Sequence, residues 1–214
     1  SLKTVRKIGS LQENLRAWRK FDESIALVPT MGNLHAGHLS LVEIARTLAD
    51  RVVVSVFVNP TQFGPGEDYA AYPRTLDNDS RQLTRANVDI LFAPPVEEVY
   101  PDNGNSGTVV SVPGLSTILC GKFRPGHFDG VASVVTRLFN IVQPDCAVFG
   151  QKDYQQLVII RRLQADLHLP IRIVAGPTMR EPDGLARSSR NQYLAADERS
   201  RAAGLHRILA DCAA

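Results

Sequence analysis

The chain has 214 residues, 44% hydrophobic and 21% charged, with a formal net charge of +2, which is typical of a globular protein and excludes a disordered one. Its basic residues are dispersed, so the charge pattern does not indicate a nucleic-acid or membrane-surface binder. No apolar run reaches the ~18 residues of a membrane span, the first ten residues lack a signal peptide's apolar region, and Cys120, Cys146 and Cys212 are scattered, so we expect free thiols in the cytoplasm.

Strands and helices are predicted to alternate along the chain. The predicted helices cover 11–20 (with Ser10 as N-cap), 37–50, 75–87, 128–143 and 153–168, and a last one starts near Ala195. The predicted strands cover 25–28, 51–58, 89–94, 146–150 and 171–175, with a hairpin or flap strand at 107–112. This order predicts an α/β fold: a doubly wound, Rossmann-like parallel sheet with helices on both faces.

The domain organisation follows from a change of composition after Gly176. Residues 1–176 carry the alternating pattern and are expected to form the ligand-binding domain. Residues 177–214 are rich in turns and polar side chains before the last helix, and they are too few for a domain of their own.

The first chemical cluster is TMGNLHAGH, which follows the first predicted strand and enters a helix. His35 and His38 stand at this turn, where free backbone N–H groups and the positive helix end favour an anion. Two imidazoles there can donate to phosphate oxygens. A zinc site would need further ligands at suitable spacing, and Gly32 and Gly37 are not followed by the Lys and Ser/Thr of a P-loop. Capping of the helix by two polar residues remains an alternative.

Two more polar clusters follow predicted strands. In FVNPTQFG, the amides of Asn59 and Gln62 can donate to a carboxylate or hydroxyl group, although Asn-Pro is also ordinary turn chemistry. In GQKDYQQ, Lys152 can bind phosphate, and Gln156 faces the same side one turn later. Asp153 can serve the site, cap the helix, or do both.

A fourth cluster, RSSRN at 187–191, places two hydroxyl groups between two guanidinium groups on a loop. That composition suits an anionic ligand such as a triphosphate, and a loop can close over it. A solvated turn is the alternative. Because three of the four clusters follow strands of one sheet, the combination predicts a single phosphate-binding region.

The motif PTMGNLHAGHLSLV resembles the HxGH signature of the nucleotidylyltransferase superfamily. Together with FVNPTQF, YPRT, GKFRPGHFDGV, VFGQKDYQQL and SSRN, it resembles the pantothenate synthetase (pantoate–β-alanine ligase) family more specifically. The match runs from about residue 25 to 194 with the motifs in the family's order.

The resemblance implies an AMP-forming ligase of pantothenate and coenzyme A biosynthesis. Pantoate would attack the α-phosphate of Mg²⁺-bound ATP to give pantoyl adenylate and pyrophosphate, and β-alanine would then release pantothenate and AMP. It also implies a cytoplasmic homodimer that binds neither nucleic acid nor membrane. Losing one well-placed donor should cost about 3 kcal/mol of transition-state stabilisation.

The resemblance also implies roles for individual residues. Catalysis would depend on His35, His38, Lys152 and Arg190. ATP would be bound by Met31, His35, His38, Gly150, Lys152, Asp153, Ser188, Ser189 and Arg190. Pantoate would be bound by Gln62 and Gln156, with Asn59 and Met31 nearby. Arg124 and His127 lie in the matching RPxHF segment without a defined role.

Two departures from the family pattern are visible. The acidic run that helps to hold Mg²⁺ reads LDNDS here, so we expect Asp79 as the metal contact and Asp77 as the reserve, with Gln82 near the pantoate and the metal. Family members also continue for about half a domain further. We therefore expect 177–214 to be the beginning of a small C-terminal lid that includes the SSR loop.

Two alternatives of different classes remain at this point. A nucleotidylyltransferase could join a nucleotide to a phosphorylated acceptor, although the amides of NPTQF and KDYQQ argue against an anionic phosphate acceptor. Alternatively, the chain could bind ATP and pantoate as a module without turnover, because an incomplete lid would admit water. We expect reduced but detectable adenylation.

Overall fold

The structure, a computed structural model, describes residues 1–102 and 107–213. The strands are Lys3–Val5 (β1), Ile25–Thr30 (β2), Arg51–Val56 (β3), Ile90–Phe92 (β4), Cys146–Gly150 (β5) and Arg172–Gly176 (β6). The α-helices are Ile8–Arg19 (α1), Ala36–Leu48 (α2), Leu76–Arg85 (α3), Val96–Val99 (α4), Cys120–Phe123 (α5), His127–Val142 (α6), Tyr154–Asp166 (α7), Ala196–Ala202 (α8) and Gly204–Ala213 (α9). Short 3₁₀ helices lie at Pro60–Gln62, Gln151–Asp153 and Ser189–Tyr193.

The strands of the described chain form one parallel sheet in the order β1–β4–β3–β2–β5–β6. From β2 the chain adds β3 and β4 on one side, and it then returns to add β5 and β6 on the other. The connections after β2 and β5 therefore leave towards opposite sides, and a crevice opens between the carboxyl ends of these two strands. The predicted doubly wound architecture is confirmed, and its topology places a ligand at this crevice.

Helices cover the sheet on both faces. One apolar core joins α1, α6 and α7 to the sheet, and a second core joins α2 and α3 to the opposite face. The run Val52–Val54 in β3 is completely or almost completely buried, as expected of a strand between two helical layers. Within the described residues, no helix combines the length and the apolar character needed to cross a membrane.

The start of the chain differs from the sequence prediction. Strand β1 was not predicted, because only three residues pair with β4 and they carry no clear alternation. Helix α1 begins at Ile8, and Ser10 lies inside it and is not its N-cap. The N–H of Ile8 instead donates to Glu98 Oε1 at 2.7 Å, across 90 residues of sequence. A distant carboxylate thus replaces the local cap, which spacing alone cannot reveal.

The predicted strand at 107–112 is also wrong, because these residues pair with no strand. The N–H of Val110 donates to Ser133 Oγ of α6 at 2.9 Å, and Val112 is buried against the same core. The segment therefore packs on a helix as irregular chain. Residues 103–106 of the preceding Gly- and Pro-rich stretch lie outside the described residues.

Candidate active site

Three adjoining cavities lie at the crevice between β2 and β5, and they share His38, Asp153 and Gln156. The first cavity, of about 160 Å³, is called the apolar cavity after its wall of four apolar α6 side chains, and it is also lined by Met31, Asn59, Gln62, Phe149, Asp153 and Gln156. The cationic cavity, of about 110 Å³, is lined by His35, His38, Gly150, Lys152, Met179 and Arg187. The loop cavity, of about 140 Å³, is lined by Gln62, Tyr72, Arg124, His127, Lys152 and Ser188 to Arg190.

His35 and His38 lie at the N-terminus of α2, where their hydrogen bonds fix the ring tautomers. His35 Nδ1 accepts from the N–H of Gly37 at 3.1 Å, and His38 Nδ1 accepts from the N–H of His35 at 3.3 Å. A ring nitrogen that accepts carries no hydrogen, so each neutral ring carries its hydrogen on Nε2. A Cβ at Gly37 would lie 2.9 Å from His35 Cε1, which explains the glycine of the motif.

The surroundings keep both rings neutral. Burial lowers the pKa of His38 to about 3, with further lowering by His35 and Lys152. Burial also lowers the pKa of His35, and the positive charges of Lys152 and Arg187 lower it further. The pair therefore acts at neutral pH as two uncharged N–H donors at the positive end of a helix, a suitable arrangement for stabilising an oxyanion.

Asp79 holds the turn that carries the histidines. Its carboxylate is fully buried and accepts from the N–H of Asn33 at 3.0 Å and the N–H of Leu34 at 2.9 Å. Gln82 acts on the same turn, because its Nε2 donates to the carbonyl oxygen of Leu34 at 3.1 Å. Both side chains therefore position the histidine turn, while the expected metal role of Asp79 and the expected place of Gln82 near pantoate and metal stay predictions.

The carboxylates expected to hold Mg²⁺ line none of the three cavities. Asp79 is used by backbone N–H groups, and Asp77 is exposed on α3 and lines none of the three cavities. Among the described residues, no group of three or more His, Cys, Asp and Glu side chains could hold a metal ion. Mg²⁺ commonly binds through substrate phosphates and water with few protein ligands, so we assign it no protein site.

Gln62 presents its amide to the apolar cavity with a defined orientation. Its Oε1 accepts from Asn59 Nδ2 at 3.0 Å, so its NH₂ group points the other way, towards the sulfur of Met31 at 3.2 Å. Asn59 is itself buried, and its amide also bonds to Thr61 and to the carbonyl oxygen of Gly130. Asn59 thus uses its hydrogen bonds within the protein and positions Gln62, and because it also lines the apolar cavity, its expected place near pantoate stays a prediction.

The remaining wall of the apolar cavity comes from one face of α6. Its residues recur at helical spacing: Val131, Val134, Val135 and Leu138. Gln156 of α7 faces them and borders all three cavities. A small acid with an apolar body and polar ends matches this lining, because branched carbons would contact α6 while its oxygens meet the amides of Gln62 and Gln156.

Arg124 and His127 form a chain of hydrogen bonds that ends on Gln62. Arg124 binds Glu67 with two bonds of 2.7 Å, and this partner lowers the pKa of Glu67 to about 2. Arg124 Nη1 lies 3.1 Å from His127 Nε2, and His127 Nδ1 lies 2.8 Å from the carbonyl oxygen of Gln62. Since a carbonyl only accepts, Nδ1 carries the hydrogen and Nε2 accepts from Arg124.

Gly150, Lys152 and Asp153 lie where β5 ends and α7 begins. Gly150 borders the cationic cavity, and Lys152 and Asp153 border both that cavity and the loop cavity. Lys152 Nζ is 3.2 Å from the carboxylate of Asp153, and both side chains remain partly exposed. The lysine is thus placed beside the two histidines, where an anionic ligand can replace its acidic neighbour.

Ser188, Ser189 and Arg190 close the loop cavity from residues beyond β6. Ser188 Oγ accepts from the N–H of Arg190 at 3.2 Å, which starts the 3₁₀ helix Ser189–Tyr193. Arg190 forms an ion pair with Asp68 at 3.2 Å and lies above the ring of Tyr72. All three predicted residues are therefore brought to the same region as Lys152.

Two contributors were not selected from the sequence. Arg187 was noticed only as part of RSSRN, yet it lines the cationic cavity beside His35. The α6 wall was predicted only as part of the helix at 128–143, although the helical spacing of its apolar residues was a usable signal. Neither could be assigned before it was known which face of α6 meets the crevice.

A doubly wound sheet with two neutral histidines at the switch point defines a nucleotide-binding α/β enzyme. The family model described as pantoate-beta-alanine ligase matches residues 3–214. This chain belongs to the pantoate–β-alanine ligase family. That result confirms the predicted family, fold class and ligase activity, and it disfavours the nucleotidylyltransferase alternative.

Individual relatives agree with this assignment. The chain is 56% identical to a pantothenate synthetase of Methylococcus capsulatus, over 97% of this chain and 73% of that protein. A crystal structure of pantothenate synthetase from Thermus thermophilus superimposes with a TM-score of 0.90 at 53% identity, over 96% of this chain and 72% of that one. A pantoate–β-alanine ligase from Francisella tularensis, complexed with β-γ ATP and β-alanine, has a TM-score of 0.90 at 39% identity, over 98% of this chain and 79% of that one.

Proposed function

We propose that this chain condenses pantoate with β-alanine at the crevice, using ATP and passing through pantoyl adenylate. The observation that carries the proposal is the meeting of two subsites of different chemistry. The apolar cavity with its two amides adjoins the cationic cavity with its two neutral histidines and a lysine. A carboxylate and a nucleotide phosphate can therefore be held side by side, which is the arrangement that adenylation requires.

In the first step, a carboxylate oxygen of pantoate attacks the α-phosphorus, and the bond between that phosphorus and the pyrophosphate oxygen breaks. The carboxylate is already ionised at neutral pH, so no general base is needed. The difficulty is the approach of two anions and the charge that grows on the α-phosphate. His35 and His38 donate from Nε2 to that group, and Lys152 contributes a positive charge beside it.

The substrates occupy different parts of the crevice in this proposal. Pantoate lies in the apolar cavity, where Gln62 and Gln156 hold it. Met31 lies beside it and lines both the apolar cavity and the loop cavity. ATP occupies the cationic and loop cavities, bordered by Gly150 and Asp153. The triphosphate extends towards three residues of the SSR loop: Ser188, Ser189 and Arg190.

In the second step, the amine of β-alanine attacks the acyl carbon of pantoyl adenylate. The new carbon–nitrogen bond forms, the bond from the acyl carbon to the AMP oxygen breaks, and the nitrogen loses a proton. The relative from Francisella tularensis in complex with β-γ ATP and β-alanine supports the binding of both nucleotide and amine by this chain. The amine must reach the acyl group before water does, so closure of residues 188–190 over the crevice would protect the intermediate.

Three statements remain proposals drawn from the resemblance. Residues 1–176 form the binding domain, and residues 177–214 form the beginning of a lid. The chain works as a homodimer in the cytoplasm. Mg²⁺ accompanies ATP, and among the described residues no group of three or more His, Cys, Asp and Glu side chains could hold it.

The test is mass-spectrometric detection of AMP and pantothenate after mixing the chain with pantoate, β-alanine and Mg²⁺-ATP. His35→Ala should lower the rate of AMP formation by about 100-fold, because it removes one donor to the reacting phosphate. His206→Ala is the matched control, since His206 lies on α9 and lines none of the three cavities.

ADP as the sole nucleotide product would contradict the proposal. Binding of ATP and pantoate without AMP formation would support the alternative of a binding module without turnover.

A further inference from the structure

Every cationic side chain around the crevice has a carboxylate partner in the described structure. The ion pairs are Arg124–Glu67, Lys152–Asp153, Arg187–Glu181 and Arg190–Asp68. Each pair neutralises a positive charge that an anionic ligand would otherwise meet. The strength and replaceability of each pair therefore affect how tightly a nucleotide binds.

Arg187 differs from the other cations in one respect. Its Nη2 atom meets Glu181 at 3.2 Å, but its Nε atom is buried and has no hydrogen-bond partner among the described residues. A buried N–H without an acceptor destabilises a protein, and the cost is larger on a charged group. The guanidinium borders the cationic cavity together with His35 and Lys152. Because Nε is buried, an anionic oxygen in that cavity could accept from it only after the guanidinium leaves Glu181 and turns towards the cavity.

The pair is held across a short hairpin. The N–H of Glu181 donates to the carbonyl oxygen of Leu185 at 2.7 Å, and the N–H of Arg187 donates to the carbonyl oxygen of Met179 at 2.9 Å. Arg180 and Ala186 also form an isolated β-bridge. Because backbone bonds fix the two arms, the Arg187 side chain can exchange Glu181 for another acceptor without unfolding the hairpin.

We propose that Arg187 is a nucleotide-binding residue that donates to a phosphate oxygen of ATP. In the nucleotide-free protein Glu181 is paired with Arg187, and ATP must displace Glu181 to bind the guanidinium. This inference rests on the proposed function, because it requires ATP in the cationic cavity. A phosphate bound by two parallel hydrogen bonds would need the Nε and Nη2 atoms of the guanidinium, and Glu181 already occupies Nη2, so Glu181 and the nucleotide compete for the same edge. Glu181 thereby weakens nucleotide binding.

The chain offers a matched control on the same hairpin. Asp183 carries the same charge two positions further on, and it pairs with Arg199 at 2.6 Å. Neither Asp183 nor Arg199 lines any of the three cavities. Asp183→Asn therefore removes a negative charge from the hairpin without freeing a donor at the crevice.

The experiment is isothermal titration calorimetry of the chain with a non-hydrolysable ATP analogue. Arg187→Gln should raise the Kd about tenfold, the loss expected for one partly exposed charge-assisted hydrogen bond. Glu181→Gln should lower the Kd about threefold, as expected for removing an exposed competing ion pair. The double variant should bind like Arg187→Gln alone, and Asp183→Asn should bind like the unmodified chain.

Two further measurements distinguish a direct contact between Arg187 and the nucleotide from a general effect of the substitution on the structure. Arg187→Lys keeps the charge and loses the planar fork, so its Kd should lie between those of the unmodified chain and Arg187→Gln. In Arg187→Gln, NMR titration should show a raised pKa for His35, because Arg187 lowers it in the unmodified chain. An unchanged His35 pKa would show that the guanidinium does not face the cavity and would overturn the inference.

The outcomes distinguish this inference from the proposed function. If the unmodified chain binds the analogue and Arg187→Gln binds it equally well, only the role of Arg187 fails. Weaker binding by Glu181→Gln would make Glu181 part of the nucleotide site and would overturn the competition. Absence of nucleotide binding by the unmodified chain would overturn both.

Discussion

At the scale of single residues, neutrality is the property that the two histidines contribute. An imidazolium would attract phosphate more strongly, but keeping a second charge beside Lys152 and Arg187 in a half-buried site is unfavourable. The backbone N–H groups of Gly37 and His35 occupy Nδ1 on each ring, which leaves Nε2–H for the ligand. The role proposed for the pair is therefore that of preorganised donors, without proton transfer.

The buried His38 should make the folded protein sensitive to acid. Its pKa falls from 6.5 to about 3 on folding, so between these pH values the unfolded chain binds a proton that the folded chain does not. The free energy of unfolding then decreases as pH falls, by about 2 kcal/mol between pH 7 and pH 5 from this residue. His38→Asn, whose amide oxygen can still accept from His35 N–H, should lose this sensitivity.

The measurement is urea denaturation of both proteins at pH 7 and pH 5. An equal loss of stability in the two proteins would mean that His38 is protonated as easily in the folded state as in the unfolded one.

Asp79 provides a second prediction at this scale. Asp79→Asn replaces one acceptor by an NH₂ group, which leaves the N–H of Asn33 or Leu34 without a partner. The free energy of unfolding should fall by about 1–3 kcal/mol, and AMP formation should slow. The Mg²⁺ concentration for half-maximal rate should not change, because the carboxylate accepts hydrogen bonds from backbone N–H groups and lines none of the three cavities.

Titration of AMP formation with Mg²⁺, alongside chemical denaturation, measures both quantities. Asp77→Asn on the exposed side of α3 is the control. A stable Asp79→Asn protein that needs far more Mg²⁺ would support the metal role.

These residues also show what the sequence could and could not predict about the site. His35, His38, Gln62, Lys152 and Gln156 follow strands or lie one helical turn further on, so topology alone brings them together. The role of Asp79 could not be read from spacing, because two neighbouring carboxylates suit a metal as well as a backbone turn. Only the burial of the side chain distinguishes the two.

At the scale of elements, the contact between α6 and the 3₁₀ helix Pro60–Gln62 sets the position of Gln62. A Cβ at Gly130 would overlap the carbonyl oxygen of Thr61, so this close approach requires glycine. The carbonyl oxygen of Gly130 also accepts from Asn59 Nδ2, and Asn59 in turn orients Gln62. The acid-binding amide is thus fixed by helix packing together with loop chemistry.

Gly130→Ala should push the 3₁₀ helix away from α6. We expect the KM for pantoate to rise about tenfold with the KM for ATP little changed, because a shift near 1 Å disturbs one subsite. Steady-state kinetics with each substrate varied in turn provides the measurement.

Gly9→Ala is the matched control, since a Cβ there meets nothing within 4 Å and α1 should gain slightly in stability. Equal increases in both KM values for Gly130→Ala would indicate a general distortion of the crevice.

The elements themselves were predictable where hydrophobic periodicity was long. Helix α6 and strand β3 carry clear patterns, and their positions agree with prediction to within a few residues. Strand β1 and the segment 107–112 were not predictable, because their structure depends on distant partners: β4 for the first and Ser133 of α6 for the second.

At the scale of the whole molecule, the edge strand that contributes to stability lies apart from the crevice that forms the candidate active site. The crevice lies between β2 and β5, while β1 forms the edge beyond β4. Val5 of β1 is only 4% exposed and belongs to the core that includes α1. Val5→Ala should lower the free energy of unfolding by about 2 kcal/mol.

The rate of AMP formation by Val5→Ala should match that of the unmodified chain at a temperature where both are folded. Thermal unfolding and the AMP assay test the two statements, with the exposed Thr4→Ala as control. If Val5→Ala forms AMP more slowly but unfolds at the normal temperature, the edge strand affects the crevice.

The α6 wall described above has a consequence for altering substrate choice. Four side chains on one helical face, Val131, Val134, Val135 and Leu138, bound the space proposed for the carbon skeleton of the acid. The groups proposed to act on phosphate come from other elements, namely the start of α2, the start of α7 and the loop after β6. An engineer could therefore enlarge or reshape the acid pocket by editing a single helix face, and obtain ligases for bulkier hydroxy acids while leaving the adenylating groups in place.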